Sequence, residues 1–298
     1  MSDKGWLICG HGSRLEAGAQ AFLRFADDLK KRNPQVAVEA GFLELSEPTY
    51  EEAIGKMYKN GVREIFAQPI LLFTGVHLQH DMPAMMHEFE EKFSGLKIHL
   101  GSFIGATDEI IDLAVKRIEA ACPDLDEAAK KETALLSIPV GASVPEANGD
   151  AAKLSRLIWE KSGFGFGAYG FVSRMTSPSV SEMLSFMDNL SHKRIVANPL
   201  MFFPGVYSQR IDEAVKAFQA ESDKEIIITE PLESDGLLCE TVEKAIAKVV
   251  SGEVDLMKTF DPEAHSHHEH HHHHHGHGHG HHHHHGHGGG GHGHGHRH

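Results

Sequence analysis

Cysteine is scarce in this chain: three residues, Cys9, Cys122 and Cys239, lie far apart and form no Cys-x-x-Cys pair. Their odd number and spacing argue against a disulfide framework and a cysteine zinc site, and make reducing cytosol the natural compartment. Long apolar runs are missing too. The most apolar short stretch, Pro69 to Phe73, is far too short to span a bilayer. Met1 to Ser13 shows no charged segment followed by a long apolar one, so no signal peptide and a cytoplasmic location are expected. Basic residues are outnumbered, 28 Lys and Arg against 42 Asp and Glu, for a formal net charge of −14. This excludes a nucleic-acid partner, which needs cations to replace phosphate counterions, and gives no general attraction to an anionic membrane. An acidic ligand would need a local basic patch that overcomes the global field. The glycine turn Gly10-His11-Gly12-Ser13 has neither the Gly-x-Gly-x-x-Gly spacing nor a Gly-Lys-Ser/Thr ending, so no nucleotide is expected there.

Histidine is abundant but unevenly placed. Of 27 histidines, 21 fall in residues 265–298, which carry almost nothing apolar and cannot build a core. A tag would account for His271 to His275 but not for the second run, His281 to His285, or for the Gly-His alternation around both. The segment therefore reads as a native, disordered tail over 262–298 that chelates divalent ions with little selectivity. About 260 residues remain to fold, enough for two modest cores.

Within them, short apolar runs alternate with helical patterns. Trp6 to Cys9, Val36 to Leu43, Ile65 to Phe73 and Leu96 to Leu100 read as strands; Ala17 to Arg32, the stretch after Thr49-x-x-Glu52, Leu78 to Phe93 and Asp108 to Cys122 read as helices. Continuous apolar strands separated by helices predict an α/β fold with a doubly wound parallel sheet covered on both faces. Ligands of such sheets bind outside the strand C-termini. The second half repeats the first at an offset of 130 residues: Pro48 meets Pro178, and Ala67-Gln68-Pro69 through Gly75-Val76 meets Ala197-Asn198-Pro199 through Gly205-Val206. Two duplicated domains are expected, 1–125 and 131–255. The repeat is uneven in its chemistry. At this offset His11 faces Gly141, His77 faces Tyr207, His80 faces Arg210, and Glu44 falls near Ser173 or Arg174. Titratable groups kept only in the first half point to function there.

His11 lies in Gly10-His11-Gly12-Ser13 directly after the first strand, His77 follows the third, and Glu44 ends the second. Two imidazoles and a carboxylate on neighbouring strand ends make a site for a borderline divalent metal such as Co²⁺, Fe²⁺, Ni²⁺ or Zn²⁺. The Gly-His-Gly-Ser turn is alternatively a phosphate cradle, although its spacing fits poorly. His80, one helical turn beyond His77, and Ser13 and Arg14 near the turn complete the candidate list. Arg14 would meet a substrate carboxylate or simply be solvated. Met82, Met85 and Met86 read as core or pocket wall, and His87 and His99 as surface residues.

Gly-His-Gly-Ser, Glu44 and the run Pro69 to His77 together resemble the class II chelatases of tetrapyrrole synthesis, most closely the long, histidine-rich form of the sirohydrochlorin cobaltochelatase family. The resemblance covers about residues 5–250. It implies two similar domains facing each other across a cleft, ATP-independent insertion of Co²⁺ (or Fe²⁺ or Ni²⁺) as substrate into the acidic tetrapyrrole sirohydrochlorin, and metal contact by His11 and His77. Glu44 matches an acidic position used in some relatives. Other long members carry a cysteine motif for an iron–sulfur cluster near the C-terminus; only Cys239 stands there, so no cluster is expected. With two domains already fused, a monomer is expected. The alternatives of another class are a cobalt or nickel storage protein or metallochaperone, which the tail favours, and a two-lobed ligand-binding protein, which the absence of a signal peptide disfavours.

Overall fold

The computed structural model describes residues 3–75, 81–232 and 236–262. Four strands, β1 (Lys4–Gly10), β2 (Ala37–Phe42), β3 (Glu64–Pro69) and β4 (Lys97–Leu100), form a first sheet of order β2-β1-β3-β4. β5 (Thr133–Pro139), β6 (Phe166–Tyr169), β7 (Arg194–Leu200) and β8 (Glu225–Ile228) form a second of order β6-β5-β7-β8. Every strand pairing is parallel. This is the doubly wound α/β architecture expected. Its chain reverses direction across the sheet between β1 and β3, and again between β5 and β7, and the crevice at such a switch point is where these folds take ligands.

The helices are α1 (Glu16–Arg32), α2 (Tyr50–Lys59), α3 (Met82–Lys92), α4 (Asp108–Ala121), α5 (Glu127–Lys131), α6 (Pro145–Ser162), α7 (Val180–Asp188), α8 (Val206–Gln219) and α9 (Gly236–Val250). The Thr49–Glu52 capping box is present at α2, and Ser179–Glu182 repeats it at α7. The third strand ends at Pro69 rather than Phe73. The expected helix from Leu78 is described only from Met82, residues 76–80 lying outside the described ones. Met82 and Met86 are buried core, sealing the first sheet with Ile54, Ile65 and Ile98.

The constant offset of 130 needs correction at the first two strands. β1 aligns with Ala37 of β2 and Ile65 of β3 through Gly5, whereas β5 aligns with Phe166 of β6 and Ile195 of β7 through Ala134. The shift is therefore 129 there and returns to 130 by Pro48 and Pro178, which both follow cis peptide bonds. The second half holds one extra residue in its β6–α7 loop. Val140, not Gly141, is the structural counterpart of His11; Gly141 matches Gly12, and both have positive φ. Ser173 rather than Arg174 matches Glu44: Glu44 N–H donates to the His11 carbonyl at 3.1 Å and Ser173 N–H to the Val140 carbonyl at 2.8 Å.

The last helix of each half covers the other half's sheet. α4 packs on α6 and β7, while α9 crosses back onto β3, β4 and α4. Leu238, Val242 and Ile246 of α9 join Ile8, Phe66 and Ile110 in one core cluster that also holds Leu135 and Val196 of the second sheet. Burying each such side chain is worth about 1.5–3 kcal/mol. Polar clasps fix the exchange. Arg32 at the end of α1 donates to Glu243 of α9 at 3.0 and 3.2 Å, and Lys244 of α9 pairs with Glu109 of α4. Beyond α9, Asp255 accepts from Leu100 N–H at 3.2 Å and lies 2.8 Å from His99 Nδ1. His99 is thus a half-buried link to the edge strand, stacked on Phe66, rather than a loose surface residue. No described helix is long and apolar enough to cross a membrane.

Candidate functional site

β1 delivers Gly10 and His11 to the C-terminal edge of the first sheet beside the switch point, and β2 delivers Glu44 next to them. The two loops are laced together. Leu43 and Glu44 N–H groups donate to the Gly10 and His11 carbonyls at 2.9 and 3.1 Å, and Ser46 Oγ accepts from Ser13 N–H and donates to the Ser13 carbonyl. This ladder sets His11 Nδ1 3.8 Å from Glu44 Oε1, with the side chains 41% and 52% exposed. Both therefore reach solvent-accessible space while their backbones are held. Gly12 makes the approach feasible. Its φ is +100°, and a Cβ there would stand 1.7 Å from the Glu44 carbonyl oxygen.

Two supporting residues were not picked out in the sequence. Tyr50, the first residue of α2, donates its buried hydroxyl to the Gly10 carbonyl at 2.8 Å, and burial pushes the phenol well above its ordinary pKa. It stays neutral and acts as a peg under the His11 turn. Its counterpart Val180 has no hydroxyl, an asymmetry that the 130-residue repeat does contain. Ser46 is the other, and Thr176 repeats its bond by donating to the Ala142 carbonyl. Cys9, adjacent to the turn in sequence, is buried, and burial drives its thiol far above the usual range, so it is no thiolate ligand. Cys239 is buried in α9.

The structure thus brings together His11, Glu44 and Ser13. Arg14 is exposed beside them. His77 and His80 lie outside the described residues. The segment leading to them runs along the same edge: Cys9 pairs with Pro69, and Ile70 N–H donates to the Cys9 carbonyl at 2.9 Å. Among the described residues no group of three His, Cys, Asp or Glu side chains is arranged to hold a metal ion.

The second sheet's rim meets the first. A Gly18 Cβ would stand 2.4 Å from the Pro204 carbonyl oxygen, and the Phe203 ring packs against Phe22 and Phe25 with centroids 5.7 and 5.8 Å away. The β7–α8 loop therefore abuts α1, and a Cβ on its Gly205 would stand 3.9 Å from Ser13 Oγ, two residues from His11. Two electrophile-binding or proton-accepting groups, an open edge and an opposing rim are what a site for a metal ion and an organic substrate requires.

Comparisons with known proteins place the chain by family and by fold. The model of the family named CbiX matches twice, over residues 5–121 and 134–249. A sirohydrochlorin cobaltochelatase of Priestia megaterium is 28% identical over 221 residues, covering 74% of this chain and 71% of the relative. A sirohydrochlorin ferrochelatase of the same organism is 26% identical over 230 residues, covering 77% and 84%. A structure of SirB from Bacillus subtilis with Fe³⁺ superposes with a TM-score of 0.74 at 22% identity, covering 85% of this chain and 99% of that one.

Proposed function

The chain belongs to the CbiX family, and on that premise we propose that it inserts a divalent metal ion into sirohydrochlorin without ATP, with Co²⁺ as the metal substrate. Insertion replaces two pyrrole N–H protons by the cation and strips the cation of water. A neutral imidazole with a pKa near ~6.5 accepts protons or binds metal at working pH. His11 and His77 take these roles, holding the cation or accepting the protons, and Glu44, 3.8 Å from His11, assists either one. The observation that carries the proposal is the His11–Glu44 pair beside the β1/β3 switch point, replaced by Val140 and Ser173 in the other half. Ser13 and Arg14 flank it, and His80, one helical turn beyond His77 in sequence, is proposed as a supporting residue of the same site. The units 1–125 and 131–255 are proposed as the duplicated domains, a monomer as the working form, and the cytosol as its place.

Iron and nickel remain rival metals, because ligand type alone does not rank them, and relatives of comparable identity carry both cobalt and iron names. Mixing the protein lacking residues 263–298 with sirohydrochlorin and Co²⁺, Fe²⁺ or Ni²⁺ in turn, and following the visible spectrum against a protein-free control, tests the reading. Fastest acceleration with Co²⁺ is expected; no acceleration with any metal contradicts chelation.

The tail's 21 histidines favour a second role in storing or delivering metal. Deleting it leaves insertion unchanged at saturating metal if the folded part is the enzyme. If storage is the whole function, most metal-binding capacity goes with it and nothing catalytic remains.

A further inference from the structure

Several described arginines of this acidic chain are engaged. Arg32 pairs with Glu243, Arg156 with Glu160, and Arg194 with Asp124 and Glu225, while Arg63 donates to the Tyr58 and Val62 carbonyls. Three others, Arg14, Arg174 and Arg210, make no ion pair with any carboxylate among the described residues, although acidic residues outnumber basic ones 42 to 28. All three sit at strand C-terminal edges. Arg14 follows β1, Arg174 lies in the β6–α7 loop, and Arg210 is the fifth residue of α8, its guanidinium 5.2 Å from the centre of the Tyr207 ring. Exposed apolar side chains gather at the same edges. Of five large ones among the described residues, Leu45 and Met175 sit in the matching β2–α2 and β6–α7 loops and Tyr207 in the first turn of α8. Cations without carboxylate partners, beside exposed apolar side chains, suit a flat, conjugated molecule fringed with carboxylates. They are positive charges available to an acidic ligand against the net charge of −14.

We infer that the second half is the substrate-holding lobe: Arg174 and Arg210 bind peripheral carboxylates of the tetrapyrrole, and Tyr207 lies against the macrocycle, presenting it to His11 on the opposing rim. The inference rests on the proposed chelation. It gives a use to the positions that the repeat altered: where the first half has Glu44 the second has Ser173 followed by Arg174, and Tyr207 and Arg210 stand at the places of His77 and His80.

The test is steady-state insertion of Co²⁺ with sirohydrochlorin varied, alongside equilibrium binding of metal-free sirohydrochlorin followed by its fluorescence. Arg174→Ala, Arg210→Ala, the double variant and the Lys variants are compared, with thermal melts reporting folding. Each Ala change is expected to raise KM and Kd roughly tenfold while kcat stays within about twofold, the size of a charge-assisted hydrogen bond. The double variant should lose more and show a flatter salt dependence, and Lys should recover part of the binding. His11→Ala should keep the wild-type Kd. If the wild type turns over and the double variant keeps its KM and Kd, or loses kcat alone, the inference is overturned and the chelatase reading stands. If the wild type neither binds nor metallates sirohydrochlorin, the chelatase reading falls and takes the inference with it.

Discussion

The two halves share a scaffold down to the loop hydrogen bonds, yet their rims carry different chemistry. At the end of β1 stands His11 in one and Val140 in the other; at the end of β2, Glu44 against Ser173; under the turn, Tyr50 against Val180. The β1–β2 loop ladder survives in both, with Gly12 and Gly141 each at positive φ. A fold needs the ladder and the glycine. It does not need the imidazole, the carboxylate or the buried phenol. What differs between duplicated halves is therefore separated from what builds them, without any third sequence.

The sharpest way to break this comparison is to treat the matching glycines alike. Gly12→Ala drives a Cβ into the Glu44 carbonyl and should displace the His11 turn, lowering the proposed insertion rate at least about a hundredfold, as expected for an ångström-scale misplacement of reacting groups. Gly141→Ala first meets side-chain atoms of Ser173 and Phe171, at 2.9–3.1 Å. It should lower Tm while kcat stays within about threefold. Equal losses of activity in both would remove the asymmetry.

The helix exchange is tested by Ile246→Ala. Ile246 belongs to the C-terminal half in sequence but is fully buried in the core shared with the first sheet. A loss of about 2–4 kcal/mol in chemical denaturation is expected, with faster amide exchange in β3 and β4. Faster exchange confined to β5–β8 would contradict the exchange. A smaller effect is expected from Tyr50→Phe, about 1 kcal/mol for one buried hydrogen bond, together with a fall in kcat of a few-fold at unchanged KM. An unchanged kcat would make Tyr50 structural only.

Smallest is the contribution of the α1–α9 clasp. Hydrogen bonding from Arg32 holds the Glu243 carboxyl below its ordinary pKa. A depressed folded pKa adds stability above the unfolded value of about 4.3 and loses it as pH falls through the folded value. The Tm gap between wild type and Glu243→Gln should therefore be open at pH 7 and close in acid. A gap that widens in acid would have the wrong sign.

Much of this was readable from the chain. Unbroken apolar strands between amphipathic helices gave the parallel sheets, and Gly-His-Gly-Ser placed His11 at a strand end. Three features were not readable. The one-residue slip hides behind the matches from Pro48 onward, so a constant offset pairs His11 with Gly141 instead of Val140. Amphipathic patterns in α4 and α9 show that each buries a face but not which sheet it covers. His99 has no local sign of its partner, because Asp255 lies 156 residues away. His77 and His80 fall outside the described residues, so their places in the site rest on the proposed function.

The most direct test of the central claim is single-turnover insertion of Co²⁺ into sirohydrochlorin by the protein lacking residues 263–298, compared with His11→Ala and with the reciprocal graft Val140→His. The account predicts acceleration by the wild type, a fall of about 10²–10⁴-fold in His11→Ala, and no gain from Val140→His. Full activity in a correctly folded His11→Ala protein would contradict it.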